Sequence, residues 1–345
     1  MSDPKALVLG ASGFLGSHVV RALRAEGRAV RILVRPTSDT LMTDHLDLDR
    51  QVGDVFDPAT LREAMNGCDT VFYCIVDARS WLRDSAPLYQ TNVEGCRTVL
   101  DVALEMEITR FVFTSSIVTI GLNPTGVASE RDAFNWDERA PGYVKTRVAA
   151  ERQVFDYCER GLPAVVCNVA TTFGPHDRQP TPHGDLIKRT VEGTMPVYWD
   201  SSMSVVGIED AAAAMLLAER HGRVGERYII SDRMMDMHEI TTQIAAYAGV
   251  SPPRVRVPKW LLKASVWLAE QVTHRLGKET VFTMSSIVLM DTMGAFDNDK
   301  AKRELHWEPQ PMEESLRKAA AWFQERRADG ATTGATRRDR SGGFR

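Results

Sequence analysis

The fold of this chain is decided by the stretch Leu7-Val8-Leu9-Gly10-Ala11-Ser12-Gly13-Phe14-Leu15-Gly16. The apolar run over residues 6–9 has the length of a buried strand, and from Ser17 onward the apolar residues follow helical spacing. A glycine-rich loop between a strand and a helix presents free backbone N–H groups and the positive end of the helix dipole to an anion. We therefore predict that the pyrophosphate of a dinucleotide binds here. The alternative is an ordinary glycine-rich turn.

Each of the three glycines has an expected task in such a site. Gly10 permits the tight turn, Gly13 lets the backbone approach the phosphate, and Gly16 lets the helix pack closely on the sheet. The spacing is Gly-x-x-Gly-x-x-Gly rather than Gly-x-Gly-x-x-Gly. Three glycines alone are a weak signal, so the prediction depends equally on their position directly after an apolar strand.

Composition limits the class of protein to which the chain can belong. With 345 residues, 43% hydrophobic and 26% charged, it suits one large or two modest globular domains. A formal net charge of −4 gives no reason to expect a nucleic-acid partner. The five cysteines are scattered, which argues against a disulfide framework and fits a reducing compartment. No signal peptide is visible and no apolar run reaches roughly 18 residues, so we expect a cytoplasmic protein without stable membrane insertion.

Predicted strands and helices alternate over residues 1–172. Such alternation is typical of an α/β fold with a doubly wound parallel sheet, Rossmann-like, whose ligands bind beyond the carboxyl ends of the strands. Strands are predicted at 29–34, 51–55, 71–76, 111–114 and 164–167, and helices at 58–65, 91–105 and 143–157. The candidate ligand-binding residues at strand ends are the loop at 10–16, Arg35, Asp54, Ile75 and Ser116.

The alternation stops at residue 173, where a proline-rich loop begins. We predict a smaller C-terminal domain over 173–328 that covers the substrate, with segments near 205–235 returning to the first domain. A disordered tail is predicted over 329–345. The apolar run at 258–269 predicts a helix that packs on its own domain; the alternatives are an apolar wall over a lipophilic substrate and a patch that touches a membrane.

The proline-rich loop contains His176, Asp177 and His183. These residue types bind metals, but their spacing matches no recognised ligand pattern. We therefore predict that they shape the loop and that the chain holds no metal.

The identity of the cofactor depends on Arg35, which ends the second predicted strand. An acidic residue at this point suits the ribose hydroxyls of NAD, whereas an arginine suits the 2′-phosphate of NADP. With Ser38 close behind, we predict NADP, and NAD is the alternative. Without a ligand, Arg35 would be an ordinary solvated arginine.

Ser116, Tyr143 and Arg147 form the predicted catalytic group. Ser116 follows a strand, and Tyr143 begins a helix on which Arg147 lies one turn later on the same face. A free tyrosine has a pKa of about 10, and a cation within roughly 4–6 Å favours its phenolate. Such a tyrosine can act as acid or base while serine holds the substrate oxygen and a nicotinamide moves a hydride.

Several motifs together resemble those of a known family. They are the loop at 10–16, Gly53-Asp54-Val55, Asn92-Val93-Glu94-Gly95, Thr114-Ser115-Ser116, and Tyr143 with Ala150-Glu151. On these motifs the chain resembles the extended short-chain dehydrogenase/reductase family over residues 5–325. The stretches at 35–39, 180–182 and 301–305 are similar to the branch of dihydroflavonol reductases, 3β-hydroxysteroid dehydrogenases and hopanoid-associated sugar epimerases.

The resemblance implies roles for individual residues. Ser116 would bind the substrate oxygen and Tyr143 would be the acid/base. The family has a lysine four residues after this tyrosine, which holds the nicotinamide ribose and lowers the tyrosine pKa; this chain has Arg147. Either Arg147 does this work, or the enzyme is slow or needs a different arrangement, or catalysis is lost and binding is kept. The expected cofactor-binding residues are Gly10, Ser12, Gly13, Phe14, Leu15, Gly16, Arg35, Asp54, Val55, Ile75, Asn92, Thr114, Ser115, Tyr143 and Arg147.

We expect an NADP-dependent oxidoreductase that interconverts a secondary alcohol and a ketone on a small hydrophobic cyclic substrate, steroid- or flavonoid-like. The alternatives are an NAD-dependent epimerase of a sugar or sugar nucleotide, and a catalytically impaired NAD(P)-binding sensor. Sugar-nucleotide members usually carry an arginine and an asparagine where this chain has Asn168 and Thr171, which weakens the epimerase alternative. The resemblance also implies a homodimer formed through the helices at 91–105 and 143–157. The aromatic and methionine side chains that would suit an apolar ring are Trp81, Phe134, Trp136 and Met203.

Overall fold

The computed structural model describes residues 5–123, 126–276, 280, 283–292 and 294–339 of the chain. Its strands are β1 Lys5–Leu9, β2 Ala29–Val34, β3 Asp49–Val52, β4 Thr70–Tyr73, β5 Arg110–Ser116, β6 Val127–Ala128, β7 Ala164–Val169, β8 Thr171–Phe173, β9 Val197–Tyr198, β10 Ser202–Gly207, β11 Arg227–Ile230, β12 Arg233–Asp236, β13 Val255–Arg256 and β14 Ala295–Phe296. Its α-helices are α1 Phe14–Ala25, α2 Pro58–Met65, α3 Ala86–Tyr89, α4 Cys96–Glu105, α5 Gly142–Glu159, α6 Pro182–Glu192, α7 Ile208–His221, α8 Met237–Ala248, α9 Lys259–Arg275, α10 Met284–Thr292, α11 Asp299–Leu305 and α12 Met312–Asp339.

A seven-stranded sheet in the order β11-β7-β5-β4-β1-β2-β3 forms the centre of the molecule. Every neighbouring pair of strands in it is parallel. The chain moves outward from β1 through β2 to β3, then returns to start β4 on the other side of β1. The carboxyl ends of β1 and β4 therefore flank the crevice at which such sheets bind ligands. This order confirms the predicted doubly wound α/β fold.

Helices cover both faces of this sheet, as its apolar strands require. Alternate residues of β1 enter different cores because successive side chains of a strand point to opposite faces. Ala6 and Val8 pack in a core shared with α1 and α7, whereas Leu7 and Leu9 pack in a core shared with α4 and α5. With β1 buried on both faces, the loop that follows it lies at the centre of the ligand-binding edge.

A smaller layer is built around the three-stranded sheet β12-β10-β8. The helices α6, α8 and α12 pack against it, in a core that includes Phe173, Val205, Ile240 and Leu316. Three elements from this half of the described chain lie on the main sheet instead: α7 packs on α1, β11 pairs with β7 at the sheet edge, and α11 packs on α7 and β11.

Three predicted elements near the crevice are shorter in the structure. The strand predicted at 71–76 ends at Tyr73. The helix predicted at 91–105 begins at Cys96, because Gln90–Gly95 form a turn of π-helix before it. The strand predicted at 51–55 ends at Val52, because the backbone carbonyl of Asp54 accepts a hydrogen bond from Asp57 N (3.1 Å) in the turn that leads into α2. In all three cases, residues predicted to be helical or extended lie outside regular α-helix or strand, beside the ligand-binding edge.

The apolar run at 258–269 forms most of α9, but it does not pack as predicted. Val266 is the one residue of α9 that is buried. Trp260, Trp267 and Leu268 are 70%, 57% and 58% exposed. The prediction that this helix packs its apolar side chains on its own domain is therefore wrong, because α9 is held along one narrow line that contacts α10. Across the residues described above, no helix has the length and apolar character needed to cross a membrane.

The last helix extends further than the sequence predicts. α12 runs from Met312 to Asp339, so residues 329–339 are helical where a disordered tail is predicted. Its first turns are anchored by the buried side chains of Leu316 and Ala320. Once a helix is nucleated, each further residue adds a backbone hydrogen bond. The remaining tail, 340–345, lies outside the described residues.

Candidate active site

The glycine loop closes a tight turn directly after β1. Gly13 N donates to Gly10 O (3.0 Å), and Ser17 N donates to Gly13 O (3.0 Å). The helix α1 then begins at Phe14, and among the described residues no side chain caps it and no acidic residue lies in its first turn. The first N–H groups of α1 are therefore available to an anion, as the sequence predicts.

Close backbone contacts explain two of the glycines. Gly10 has φ +83°, and a Cβ on it would lie 2.7 Å from the carbonyl carbon and oxygen of Cys74, just after β4. A Cβ on Gly16 would lie 2.1 Å from Gly10 O. The loop thus packs against the end of β4 on one side and against the first turn of α1 on the other. This packing brings α1 close to the sheet, as predicted for Gly16.

A cleft of about 780 Å³ runs along the carboxyl ends of the central strands. With one exception, Asn92, every predicted catalytic or cofactor-binding residue lines it. Those lining residues are Gly10, Ser12, Gly13, Phe14, Leu15, Gly16, Arg35, Asp54, Val55, Ile75, Thr114, Ser115, Ser116, Tyr143 and Arg147. Other cleft residues that the sequence did not single out for binding include Asp77, Arg79, Thr172 and Gln179.

Asn92 lies behind the cleft wall. Its Oδ1 accepts from Asp77 N (2.7 Å), and its Nδ2 donates to Asp77 O (3.0 Å) and to Thr146 Oγ1 (3.0 Å). It is 1% exposed. Asn92 therefore positions the loop after β4 against α5, and its prediction as a cofactor-contacting residue is not supported by this placement, because its amide is fully used within the protein.

Arg35 lies at the end of β2 at the adenosine side of the predicted site. Its backbone N–H donates to Ser38 Oγ (3.0 Å), which folds the following turn. Its side chain is exposed and lines the cleft together with Ser38. The nearby Asp39 carboxylate accepts a hydrogen bond from Arg178 (Nε to Oδ2, 2.6 Å), so its cationic partner is Arg178 and not Arg35.

Ser116 and Tyr143 reach the same cleft from two elements. Ser116 ends β5, and its Oγ accepts from Val118 N (3.4 Å) at the start of a short 3₁₀ turn, Ile117–Thr119. Tyr143 is the second residue of α5, and its ring packs against a cluster that contains Val118, Trp136 and Val144. The predicted serine and tyrosine thus line the same cleft.

Arg147 is a deeply buried cation. It is 1% exposed, its Nη2 donates to Thr114 O, and its guanidinium carbon lies 5.4 Å from the centre of the Phe113 ring. Its Nε and Nη1 have no hydrogen-bond partner within the described chain. Because a buried cation with unsatisfied donors is costly, a ligand with acceptor oxygens in the cleft fits this residue. Lys145, by contrast, lies near Asp137 (3.9 Å) on the exposed side of α5.

A buried carboxylate, Glu151, joins the elements that carry the predicted catalytic residues. Its Oε2 accepts from Ser115 Oγ, from Thr119 Oγ1 (2.7 Å) and from Asn168 Nδ2 (2.7 Å). Its Oε1 forms an ion pair with Arg227 (3.1 Å). These contacts tie α5 to β5, β7 and β11. The role of Glu151 was missed because one residue in a motif does not show four partners that are distant in sequence.

The loop after β8 is organised by Asp177. Its Oδ2 accepts from Thr181 N (2.9 Å) and Oγ1 (2.8 Å), and Thr181 caps α6 by accepting from Gly184 N (3.0 Å). Burial raises the pKa of the Asp177 carboxyl to about 6. No group of three or more possible metal ligands occurs in the described parts of the chain. Asp177 thus holds the loop whose residues Thr181 and Pro182 line the cleft.

The four side chains expected beside an apolar substrate divide between cleft and core. Trp81 lines the cleft. Trp136 is 3% exposed and packs with Phe134 and Tyr143 in one cluster, while Met203 packs with the core of the smaller layer. Only Trp81 of these four therefore faces the space that a substrate would fill.

Known proteins share this architecture and its motifs. The model of the NAD dependent epimerase/dehydratase family matches residues 6–231. A Synechocystis sp. protein named dihydroflavonol 4-reductase is 31% identical over 322 residues, which cover 92% of this chain and 94% of that protein. Sterol demethylase protein B of Methylococcus capsulatus is 30% identical over 322 residues, which cover 93% of this chain and 98% of that protein. The crystal structure of gox2253 matches with a TM-score of 0.83 at 33% identity, covering 94% of this chain and 99% of that chain.

The matched region contains β1, the glycine loop, Ser116, Tyr143 and Arg147, so it spans the whole strand-end cleft. The strand order of the sheet, the glycine loop before α1 and the family match support the same assignment. The chain belongs to the NAD dependent epimerase/dehydratase family and is an NAD(P)-dependent enzyme of the extended short-chain dehydrogenase/reductase type.

Proposed function

We propose that the protein is an NADP-dependent oxidoreductase that interconverts a secondary alcohol and a ketone on a small hydrophobic cyclic substrate. The observation that carries this proposal is that Ser116 and Tyr143 share one cleft with the glycine loop. The names of two relatives, a dihydroflavonol reductase and a sterol demethylase protein, support a substrate with fused or linked rings.

Three features of the cleft fit a bound dinucleotide. The uncapped start of α1 suits the pyrophosphate, and the exposed guanidinium of Arg35 suits a ribose 2′-phosphate. The unpartnered Nε and Nη1 of Arg147 suit ribose hydroxyls. When bound, the cofactor would supply the hydride as NADPH or accept it as NADP. The protein supplies the position of the substrate and the path of the proton.

The proton is handled by Tyr143 with help from Ser116. Tyr143 exchanges a proton with the oxygen of the substrate's alcohol or ketone group, which is general acid–base catalysis. Ser116 Oγ donates a hydrogen bond to the same oxygen and holds it against the tyrosine. Arg147, one turn after Tyr143 on α5, keeps a positive charge at this end of the cleft. The apolar side chains of Ile75 and Trp81 narrow the space beside the substrate.

A spectrophotometric screen tests this proposal. Oxidation of NADPH, and reduction of NADP in the other direction, would be followed with steroid, flavonoid, simple ketone and sugar-nucleotide substrates. We expect turnover with a ring ketone or its alcohol. Cofactor that stays bound through purification, with no net change in added NADPH and with epimerised sugar as product, would replace the oxidoreductase by the epimerase alternative.

Replacing Arg35 with glutamine is expected to weaken NADP binding at least about tenfold and to change NAD binding little. A charge-assisted hydrogen bond contributes about 1.5–3 kcal/mol, and about 1.4 kcal/mol is a tenfold change in affinity. NAD lacks the 2′-phosphate and is the internal control in titration calorimetry of the same variant. Equal losses of affinity for both cofactors would contradict the role given to Arg35.

A second function, NAD(P) binding without catalysis, is favoured by the contacts of Arg147. Its bond to Thr114 O and its position over Phe113 hold the guanidinium against β5. If Arg147 does the work of the family lysine, we expect Arg147→Lys to retain turnover within about tenfold, roughly the net strength of one hydrogen bond. Lys145→Arg, two residues away on the exposed side, is the control. Native protein without turnover, combined with activity in Arg147→Lys, would establish the binding function instead.

A further inference from the structure

The helix α9 carries a broad apolar face that nothing in the described chain covers. Trp260, Trp267 and Leu268 are each more than half exposed, and Leu261 and Val272 are 45% and 47% exposed. Leu276, at the C-terminal cap, is 64% exposed. Single exposed apolar side chains are ordinary, but a contiguous set containing two tryptophans marks an interaction site.

The large exposed apolar residues lie on one side of α9. Positions 260, 261, 264, 267, 268, 272 and 276 recur at intervals of three and four residues, which places them on a continuous stripe. Val266, the buried residue, and the half-buried Leu262 and Thr273 lie on the opposite side. α9 therefore rests on the protein with its less apolar side and presents its tryptophans outward, the reverse of a core-packing helix.

The charge of this segment differs from that of the whole chain. Residues 254–276 contain five basic side chains and one acidic side chain, Glu270, for a formal charge of +4. Counting Asp200, which pairs with Arg256, and Asp291 lowers the charge of this surface to +2, whereas the complete chain carries −4. Arg275 is exposed near the end of the apolar stripe. Lys259 and Lys263 border the stripe and share Asp291 as an ion-pair partner (3.1 and 2.7 Å). The apolar face is thus framed by positive charge.

We propose that α9 docks the protein on an anionic lipid surface, lying in the plane of the interface without crossing it. Apolar side chains on one face, tryptophans among them and basic residues beside them are the features of interfacial helices. Indole rings favour the boundary between headgroups and acyl chains. A second copy of this chain fits less well, because a two-fold contact through α9 would place two surfaces of net positive charge against each other.

The position of α9 links this surface to the cleft. α9 packs on α10, and Leu289 of α10 packs against the cluster that contains Trp136, Val144 and Tyr143. The docking helix is therefore separated from the substrate end of the cleft by one helix. Binding to lipid does not depend on the proposed reaction, but it would bring the cleft to a source of water-insoluble ring compounds.

Vesicle co-sedimentation of the full-length protein tests the proposal. We expect binding to vesicles of equal parts phosphatidylcholine and phosphatidylglycerol, with a blue shift of tryptophan fluorescence. Binding should be weaker at high salt and to phosphatidylcholine alone, because screening and loss of anionic lipid both remove the electrostatic attraction. The double variant Trp260→Ser/Trp267→Ser should bind at least tenfold less, and Arg275→Glu should lose binding to the anionic vesicles selectively. Val224→Ser, at a residue that is 50% exposed in the turn between α7 and β11, is the matched control and should bind as the native protein does.

Three results would overturn the proposal. The first is native protein that stays in the supernatant with anionic vesicles, and the second is a double variant that binds equally well. The third is a native oligomer, measured by sedimentation equilibrium without lipid, that the double variant converts to a smaller species; this result would identify a second copy as the occupant of the α9 face. NADP affinity and the thermal unfolding temperature of each variant show that the fold is kept, so failure of lipid binding is distinguishable from failure of the proposed reaction.

Discussion

Replacing Tyr143 with phenylalanine should lower kcat/KM by about 10³-fold and leave the Kd for NADP nearly unchanged. Acid–base catalysis by one positioned side chain contributes about 10²–10⁴-fold, and phenylalanine removes only the hydroxyl that we propose exchanges the proton. The ring of Tyr143 packs against the cluster of Val118, Trp136 and Val144, and a phenylalanine ring keeps these contacts. The variant should therefore fold normally, and its lower kcat/KM should come from a slower chemical step. Steady-state rates of NADPH oxidation and titration calorimetry with NADP measure the two quantities.

Tyr157 provides a matched control on the same helix. Its hydroxyl donates to Asp101 Oδ1, away from the cleft, and it is 5% exposed. Tyr157→Phe removes the same atom from α5 and is expected to cost stability, typically about 1 kcal/mol for one hydrogen bond, without changing kcat. Unchanged turnover in Tyr143→Phe would exclude this tyrosine as the acid/base. Equal losses of turnover in both variants would indicate that a structural change in α5, and not the loss of an acid/base group, lowers activity.

The parts of the fold that could be predicted are those with a local pattern. The strand β1 and the glycine loop are encoded in consecutive residues, so their positions follow directly from the sequence. Strand and helix alternation then predicts the parallel sheet, and the sheet predicts that Arg35, Asp54 and Ser116 meet at one edge. The structure places all three in one cleft. A topological rule thus converted separate short patterns into a single site.

The parts that could not be predicted depend on contacts between distant segments. Glu151 is surrounded by Ser115, Thr119, Asn168 and Arg227, which come from four separate elements. Its local pattern is only that of a charged residue in a helix. Such a residue is usually solvated, so burial of the carboxylate follows from tertiary packing alone.

Asn92 and α9 also show that local sequence does not predict tertiary contacts. Asn92 is buried where contact with a ligand is predicted, and α9 is exposed where packing is predicted. Asn92 belongs to a motif associated with the site, yet its amide is used to join the loop at Asp77 to α5 at Thr146. The helical pattern of α9 is strong, but helical spacing identifies an apolar face without showing whether protein, lipid or solvent meets it. A buried helix could carry Trp260 and Trp267 in the same sequence pattern. Their exposure follows from the position of α10, which holds the other side.

Replacing Gly16 with alanine is expected to weaken NADP binding at least about 10²-fold and to lower the free energy of unfolding by about 1–3 kcal/mol. A Cβ at this position would lie 2.1 Å from Gly10 O and 2.7 Å from Gly10 C, which are backbone atoms. No side-chain rotation relieves such a contact, so either α1 or the loop must move, at the usual cost of overpacking. Movement of either one displaces the N–H groups at the start of α1 from the phosphate, which is the interaction that anchors the cofactor.

Two further glycine variants separate binding from stability in this prediction. A Cβ on Gly13 would lie 3.2 Å from Gly10 O, a closer contact than usual but less severe than the one at Gly16. Gly13→Ala is therefore expected to fold while still losing affinity for NADP. Gly27 has φ +78° and open space around it, so Gly27→Ala should lose about 1–2 kcal/mol of stability through the left-handed backbone alone, with no change in Kd. Calorimetric Kd values and denaturant unfolding curves for the three variants measure both effects. If Gly16→Ala bound NADP as tightly as Gly27→Ala, the loop after β1 could not be the phosphate site, and the cofactor would have to bind elsewhere in the cleft.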